Sequence, residues 1–160
     1  EIGVEPDLSS QWDEEPGLRE SAYSALALKS DESVREEIQK ALVDTKVKQN
    51  VAALEVSLAL LGDPKFLTSE NMELDSYNIG FAMLRAIERL GGKHGMDVLM
   101  STALDHDYAA IANEALLTAQ RITGEEWIPA GSRSQPRNFA DEAKAWWKAN
   151  RDSFELNDSP

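Results

Sequence analysis

ALEVSLALLG, at residues 53–62, is followed by two similar segments, AMLRAIERLG at residues 82–91 and ALLTAQRITG at residues 115–124. In each segment alanine alternates with larger apolar residues at helical spacing, and a glycine closes the run. The closing glycines are 29 and 33 residues apart. A period of this size is typical of stacked supersecondary units, each of which needs a neighbour to bury its apolar face. The sequence therefore predicts an all-α chain of repeated helix pairs.

The apolar period predicts further helices before and between these segments. Asp31 or Ser33 can cap the second helix, and Ser33 would form a capping box with Glu36. Asp75 is the predicted cap of the helix that ends at Gly91-Gly92. Residues 65–74 lack a helical period, so we expect at most a short turn there and a degenerate repeat. The predicted helices cover residues 18–28, 33–42, 46–61, 75–90, 95–104 and 108–122.

Two short motifs resemble the HEAT repeat family, in particular the short HEAT-like units of bacterial proteins. Asp-Glu-Ser-Val-Arg at residues 31–35 is similar to the start of a HEAT helix, and Leu-Gly-Asp-Pro at residues 61–64 to the turn between repeats. The resemblance covers residues 18–124, although the period is shorter than the roughly 40–47 residues of full HEAT repeats. It implies a short right-handed α-α superhelix of about three helix pairs.

The two ends of the chain differ from the repeat region in composition. Residues 1–17 hold six acids and no base, and we expect an extended acidic leader there. In residues 125–160, Asn138 is the predicted cap of a last helix that carries Trp146 and Trp147. This Trp-Trp segment resembles the extension of some bacterial HEAT-like domains. It predicts a capping helix on the last repeat, and an exposed aromatic docking site is the alternative.

Composition excludes several classes of function. The chain has 29 acids and 16 bases, a net charge of −13, which disfavours nucleic acid and anionic membranes as partners. The absence of cysteine excludes disulfides and thiolate metal sites. No apolar run reaches the roughly 20 residues of a membrane span. Since the chain begins at Glu1 rather than Met, an exported protein without its signal peptide and a cytoplasmic protein both remain open.

Catalytic chemistry has one weak candidate in the sequence. Asp105, His106 and Asp107 form the one stretch that suggests a metal or an oriented imidazole, but a turn between helices explains them more simply. Gly91-Gly92-Lys93 lacks the strand and spacing of a phosphate-binding loop and is predicted to end a helix. We therefore predict no catalytic, cofactor-binding or metal-binding residue and no enzymatic activity.

The remaining candidate is a protein-binding surface on the second helix of each pair, which lines the concave face in HEAT-like proteins. Any amphipathic helix also needs a solvated side, which explains the same polar residues equally well. We expect a non-catalytic interaction or scaffold module that binds a protein or peptide; its oligomeric state is left open. The alternatives are an accessory domain of a lyase-like HEAT protein acting with an enzyme or chromophore, and an acidic hydrolase at residues 105–107. The predicted partner-binding residues are Lys48, Glu55, Asn78, Arg85, Glu88, Arg89, Asn113, Gln120, Arg121, Trp146 and Trp147.

Overall fold

The computed structural model describes residues 17–154, and its regular elements in that range are helices without a strand. The all-α prediction is therefore confirmed, whereas the predicted leader lies outside the described residues except for Gly17. No helix in the described range is both long and apolar enough to cross a membrane. The α-helices are α1 (Leu18–Leu28), α2 (Arg35–Asp44), α3 (Lys48–Leu60), α4 (Ser69–Met72), α5 (Tyr77–Leu90), α6 (Gly92–Ser101), α7 (Ala109–Thr123) and α8 (Ala140–Asn150).

The helices pack in two rows. In the first, which we call the odd row, α1 packs on α3, α3 on α5 and α5 on α7. In the second row, α4 contacts α6 and α6 contacts α8. Contacts of α2 with α3 and of α4 with α5 join the two rows. Because α3 has neighbours on several sides, Leu54, Val56, Leu58 and Leu60 are all buried. This explains why its apolar residues extend beyond a single helical stripe.

Four hydrogen-bonded pairs that join different parts of the chain share one interval in the sequence. The Ser24 and Ser57 hydroxyls lie 3.0 Å apart and join the middles of α1 and α3, and the Gly17 N–H donates to Asn50 Oδ1 at their starts. These two neighbouring helices of the odd row, α1 and α3, therefore run in the same direction. Each of the following pairs is separated by 33 residues in the sequence: Gly17 and Asn50, Ser24 and Ser57, Ser69 and Thr102, Glu88 and Arg121.

Three of the predicted helix caps need correction. Asp31 accepts the Ser33 N–H at 3.1 Å, and Ser33 itself lies in a 3-10 turn, so the capping box between Ser33 and Glu36 is wrong. The Ser76 hydroxyl, not Asp75, caps α5, because the fully buried Ser76 accepts the Ile79 N–H where water has no access.

The last helix also begins differently from the prediction. A 3-10 turn over Pro136–Phe139 precedes α8, and the N-cap of α8 is Phe139, without a side-chain hydrogen bond. The Asn138 cap is therefore wrong. Since Pro136 fixes its own φ at a helical value, the turn starts there and moves the first residue of α8 past Asn138.

The stretch without a helical period contributes to the core. It contains a 3-10 turn at Pro64–Phe66, close to the predicted turn, and the four-residue helix α4, which the sequence did not predict. Thr68 caps α4 by accepting the Asn71 N–H at 3.2 Å. Leu67 and Met72 are fully buried. A helix of one turn is too short to produce a sequence period, so the degenerate appearance reflects its length.

Glycine ends α5 as predicted. Gly91 has a φ of +59°, a conformation that residues with a Cβ rarely adopt, and its N–H bonds to the Ile87 carbonyl. The next helix starts at once, at Gly92 rather than at Gly95, because its first turn contains no large apolar residue from which the sequence could place it.

Candidate functional site

A groove of about 440 Å³ lies on the odd row between α1, α3 and α5, and we call it the row groove. Both α1 and α5 pack on α3, which leaves them on either side of it. Small residues on the two outer helices, Ala25 and Ala82, keep the space between them open. The lining residues are Ser21, Ser24, Ala25, Leu28, Ala53, Val56, Tyr77, Asn78, Ile79, Phe81, Ala82 and Arg85.

Large apolar side chains are exposed at the edge of the row groove. Leu28 is 41% exposed and Tyr77 is 48% exposed. The Tyr77 ring lies 4.7 Å from that of Phe81 and 6.1 Å from that of Tyr108, measured between centroids. Apolar and aromatic surface that stays in contact with water is the type that protein partners cover.

Among the described residues that line the row groove, Arg85 is the one that carries a charge. Its side chain is exposed, and it makes no hydrogen bond or ion pair with the rest of residues 17–154. Its neighbour Arg89, one helical turn further along α5, donates to the Ser30 hydroxyl. Arg85 is therefore available to a ligand that binds in the row groove.

Two other predicted residues of the odd row neutralise each other. Arg121 on α7 donates to Glu88 on α5 at 2.6 Å and to Glu114 at 2.7 Å. The hydrogen bond that Arg121 donates to Glu88 raises the pKa of Arg121, with Glu114 adding to the effect. These charges join α5 to α7 within the chain, so Glu88 and Arg121 are not free to bind a partner.

Lys48 and Glu55 lie on α3 but do not line the row groove. Lys48 Nζ is 3.7 Å from the carboxylate of Glu70, and Glu55 accepts a hydrogen bond from the Asn71 amide at 2.8 Å. Glu70 and Asn71 belong to α4, in the other row. Lys48 and Glu55 therefore connect the two rows.

Asn113 and Gln120 on α7 hold the segment that follows this helix. Asn113 Oδ1 accepts the Arg137 N–H at 3.0 Å, and Gln120 Oε1 accepts the Ile128 N–H at 3.2 Å. The 3-10 turn before α8 also packs on α7. The chain itself covers this end of the odd row, and of the eleven predicted partner-binding residues only Asn78 and Arg85 line the row groove.

The tryptophans of α8 pack against the body of the protein. Trp147 is 5% exposed, and its indole N–H donates to Asp97 Oδ1 on α6 at 3.0 Å. Trp146 is half-buried and lies 5.8 Å from Trp127 and 6.5 Å from Phe154, measured between ring centroids. We call Trp127, Trp146, Trp147 and Phe154 the aromatic cap. Its buried rings contribute to stability and offer little surface to a partner.

Asp97, which accepts the indole hydrogen bond of the aromatic cap, makes the stability of the protein depend on pH. Arg151 donates two hydrogen bonds of 2.7 Å to the Asp97 carboxylate, which lower the pKa of Asp97. A lowered folded-state pKa stabilises the protein above the unfolded value of about 3.9, and the contribution is lost as pH falls through the folded-state pKa. We expect Asp97→Asn to reduce the loss of stability between about pH 7 and about pH 3, measured by urea unfolding.

Asp107→Asn is the matched control, because it removes an exposed carboxylate that has no ion pair within residues 17–154. Its stability should fall with acidification as steeply as that of the wild type. An equally steep fall in Asp97→Asn would contradict the role given to the Asp97 and Arg151 pair.

Residues 105–107 lie at a separate polar pocket of about 330 Å³, also lined by Glu73, Asp75, Ser101 and Thr102. Asp105 is paired with Lys144 at 2.6 Å. His106 Nδ1 accepts the Tyr108 N–H at 3.0 Å, and its buried Nε2 has no hydrogen-bond partner. No group of three potential metal ligands exists within the described range. The observed contacts are those of a turn between two helices.

The sequence did not indicate the α1 side of the row groove. Ala25 and Leu28 come from a helix about 60 residues before Arg85, and nothing in the pattern places them opposite it. One signal was present: Leu28 and Tyr77 are large apolar residues at the ends of their helices, away from the core positions.

Comparison with protein-family models, curated proteins and solved structures gave no match to the chain. Within residues 17–154, the row groove and the unpaired Arg85 beside it are the features that bear on function.

Proposed function

We propose that this protein is a non-catalytic interaction module that binds a polypeptide in the row groove, and that residues 18–124 form a short HEAT-like repeat of about three helix pairs. The observation that carries the proposal is the apolar groove between α1, α3 and α5, with Leu28 and Tyr77 exposed at its edge. A continuous exposed apolar surface with a polar rim is typical of a protein-binding site.

The packing of the helices supports the repeat part of the proposal. The parallel packing of α1 on α3, and hydrogen bonds at an interval of 33 residues both between α1 and α3 and between α5 and α7, are what stacked copies of one unit would produce. The shorter interval between Gly62 and Gly91 falls where α4 has only four residues. One shortened unit thus accounts for the uneven spacing.

The shape of the row groove favours a polypeptide over a small molecule. Small ligands usually bind in cavities that enclose most of their surface. Here Ser21, Ala25, Leu28 and Tyr77 are all exposed, so the groove is open along its length. A polypeptide needs to bury only one of its faces, and several apolar side chains in a row can supply the binding energy.

Filling the row groove tests the proposal. Short peptides are first selected from a displayed random library on the full chain, and their affinity is measured by fluorescence anisotropy. Ala25→Trp puts a large ring into the groove from α1 and should weaken the selected peptides about tenfold or more, through loss of roughly 1.4 kcal/mol or more of contact energy.

Ala145→Trp is the matched control, since Ala145 is an exposed alanine on α8, away from the groove. Binding should be unchanged in this variant, and both variants should keep the helical circular dichroism of the wild type. Equal affinity in Ala25→Trp and the wild type would refute binding in the row groove.

A further inference from the structure

We infer that the polypeptide bound in the row groove places one Asp or Glu side chain, flanked by apolar residues, against Arg85; this rests on the proposed function. Apolar side chains of the ligand can pack against the two walls of the groove. One wall contains Ala25 and Leu28, and the other contains Phe81 and Ala82. Only Arg85 among the lining residues can select a charge.

Within residues 17–154 Arg85 has no carboxylate partner, in contrast to several other arginines. The chain has 29 acids and 16 bases, so carboxylates outnumber cations. Arg35 forms an ion pair with Glu32, Arg121 with Glu88 and Arg151 with Asp97. Glu88, three residues after Arg85 on α5, is thereby occupied. An arginine that stays unpaired beside an apolar groove has its fork of donors available for a carboxylate from another molecule.

The position of Arg85 points to a side chain rather than to a chain terminus. The hydrogen bond between Arg89 and Ser30 brings the C-terminal ends of α5 and α1 together just beyond Arg85. Since Arg85 lies in the interior of α5, the surface of this helix continues past it in both directions, and a bound chain can run across it. We accordingly assign the carboxylate to an internal Asp or Glu.

The net charge of the protein limits how acidic the partner can be. At −13 the chain repels a run of acids, so the favoured partner carries a single carboxylate at Arg85 and apolar residues on either side. A ligand that covers the groove would exclude water from the ion pair with Arg85 and so strengthen it. The apolar contacts would supply affinity and the ion pair would fix the register.

A set of synthetic peptides built from Leu, Phe and Ser tests this inference on the full chain. Each peptide is acetylated and amidated, and one scanned position holds Glu, Gln or Lys, so that the scanned Glu is the only carboxylate. At the best position wild-type protein should bind the Glu peptide about tenfold more tightly than the Gln peptide, the range expected for a charge-assisted hydrogen bond. The preference should shrink in high salt.

Arg85→Glu should reverse the order of the peptide affinities, so that the Lys peptide binds best. Arg133→Glu makes the same charge change at an exposed arginine outside the groove and should keep the wild-type order. An unchanged order in Arg85→Glu, or no binding by any peptide of the set, would overturn the inference. The proposed function would survive either result if Ala25→Trp still blocks the peptides selected from the random library.

Discussion

Replacing Trp147 by alanine is expected to lower the free energy of unfolding by about 3–5 kcal/mol, the usual range for a buried tryptophan. Trp147 is 5% exposed, lies 5.1 Å from the ring of Phe154 and donates its indole N–H to Asp97. Its removal therefore leaves a cavity between α6 and α8 and also breaks a hydrogen bond. Urea unfolding followed by circular dichroism measures the change.

Trp147→Phe separates these two contributions. It keeps a ring in contact with Phe154 but removes the donor to Asp97, which still accepts hydrogen bonds from Arg151. The expected loss is about 1–2 kcal/mol. Both variants should bind groove peptides with wild-type affinity, because Trp147 does not line the row groove. A loss below about 1 kcal/mol in Trp147→Ala would contradict a structural role for the aromatic cap.

Gly80→Ala is expected to destabilise the protein by about 1–3 kcal/mol through overpacking, although alanine is the better helix former. Gly80 lies in the middle of α5, where it is buried against α7. A Cβ at this position would overlap Ile111 Cδ1 and lie 3.2 Å from Ile111 Cγ1. The absence of a side chain at Gly80 thus allows these two helices of the odd row to approach each other closely.

Ile111→Val supplies the matching test, because it removes the Cδ1 atom that the new Cβ would overlap. Alone it should cost about 0.5–1.5 kcal/mol. In the double variant the two losses of stability should be less than additive. Valine at position 111 lacks the atom that the new Cβ would overlap, and that Cβ fills part of the space that the lost methyl group leaves. Strictly additive losses would contradict the close packing of Gly80 on Ile111.

The helices of the odd row were predictable from the sequence, and the reasons are local. In α3, α5 and α7 a long apolar period ends at a glycine, so that the type of each element and its end are both visible. The caps at Ser76 and Phe139 were not predictable, because they depend on a buried hydroxyl and on a turn set by Pro136. The helix α4 was missed because one helical turn shows no period.

The candidate site was only partly predictable, since it depends on contacts between distant segments. Arg85 and Asn78 could be proposed as polar residues on an exposed helical face. Only the packing shows that Arg121 forms an ion pair with Glu88 and that Gln120 binds the segment after α7. The α1 wall was not predicted, because the sequence does not show which helix lies on the far side of α3.

Methyl NMR of the full chain, titrated with a peptide selected from the random library, tests binding in the row groove most directly. The proposed function requires shifts at the methyl groups of Leu28, Val56 and Ile79, which line the groove. The methyl groups of Val98 and Leu104, which are buried outside the groove, should keep their positions. Shifts confined to Val98 and Leu104, with the groove methyl groups unchanged, would contradict it.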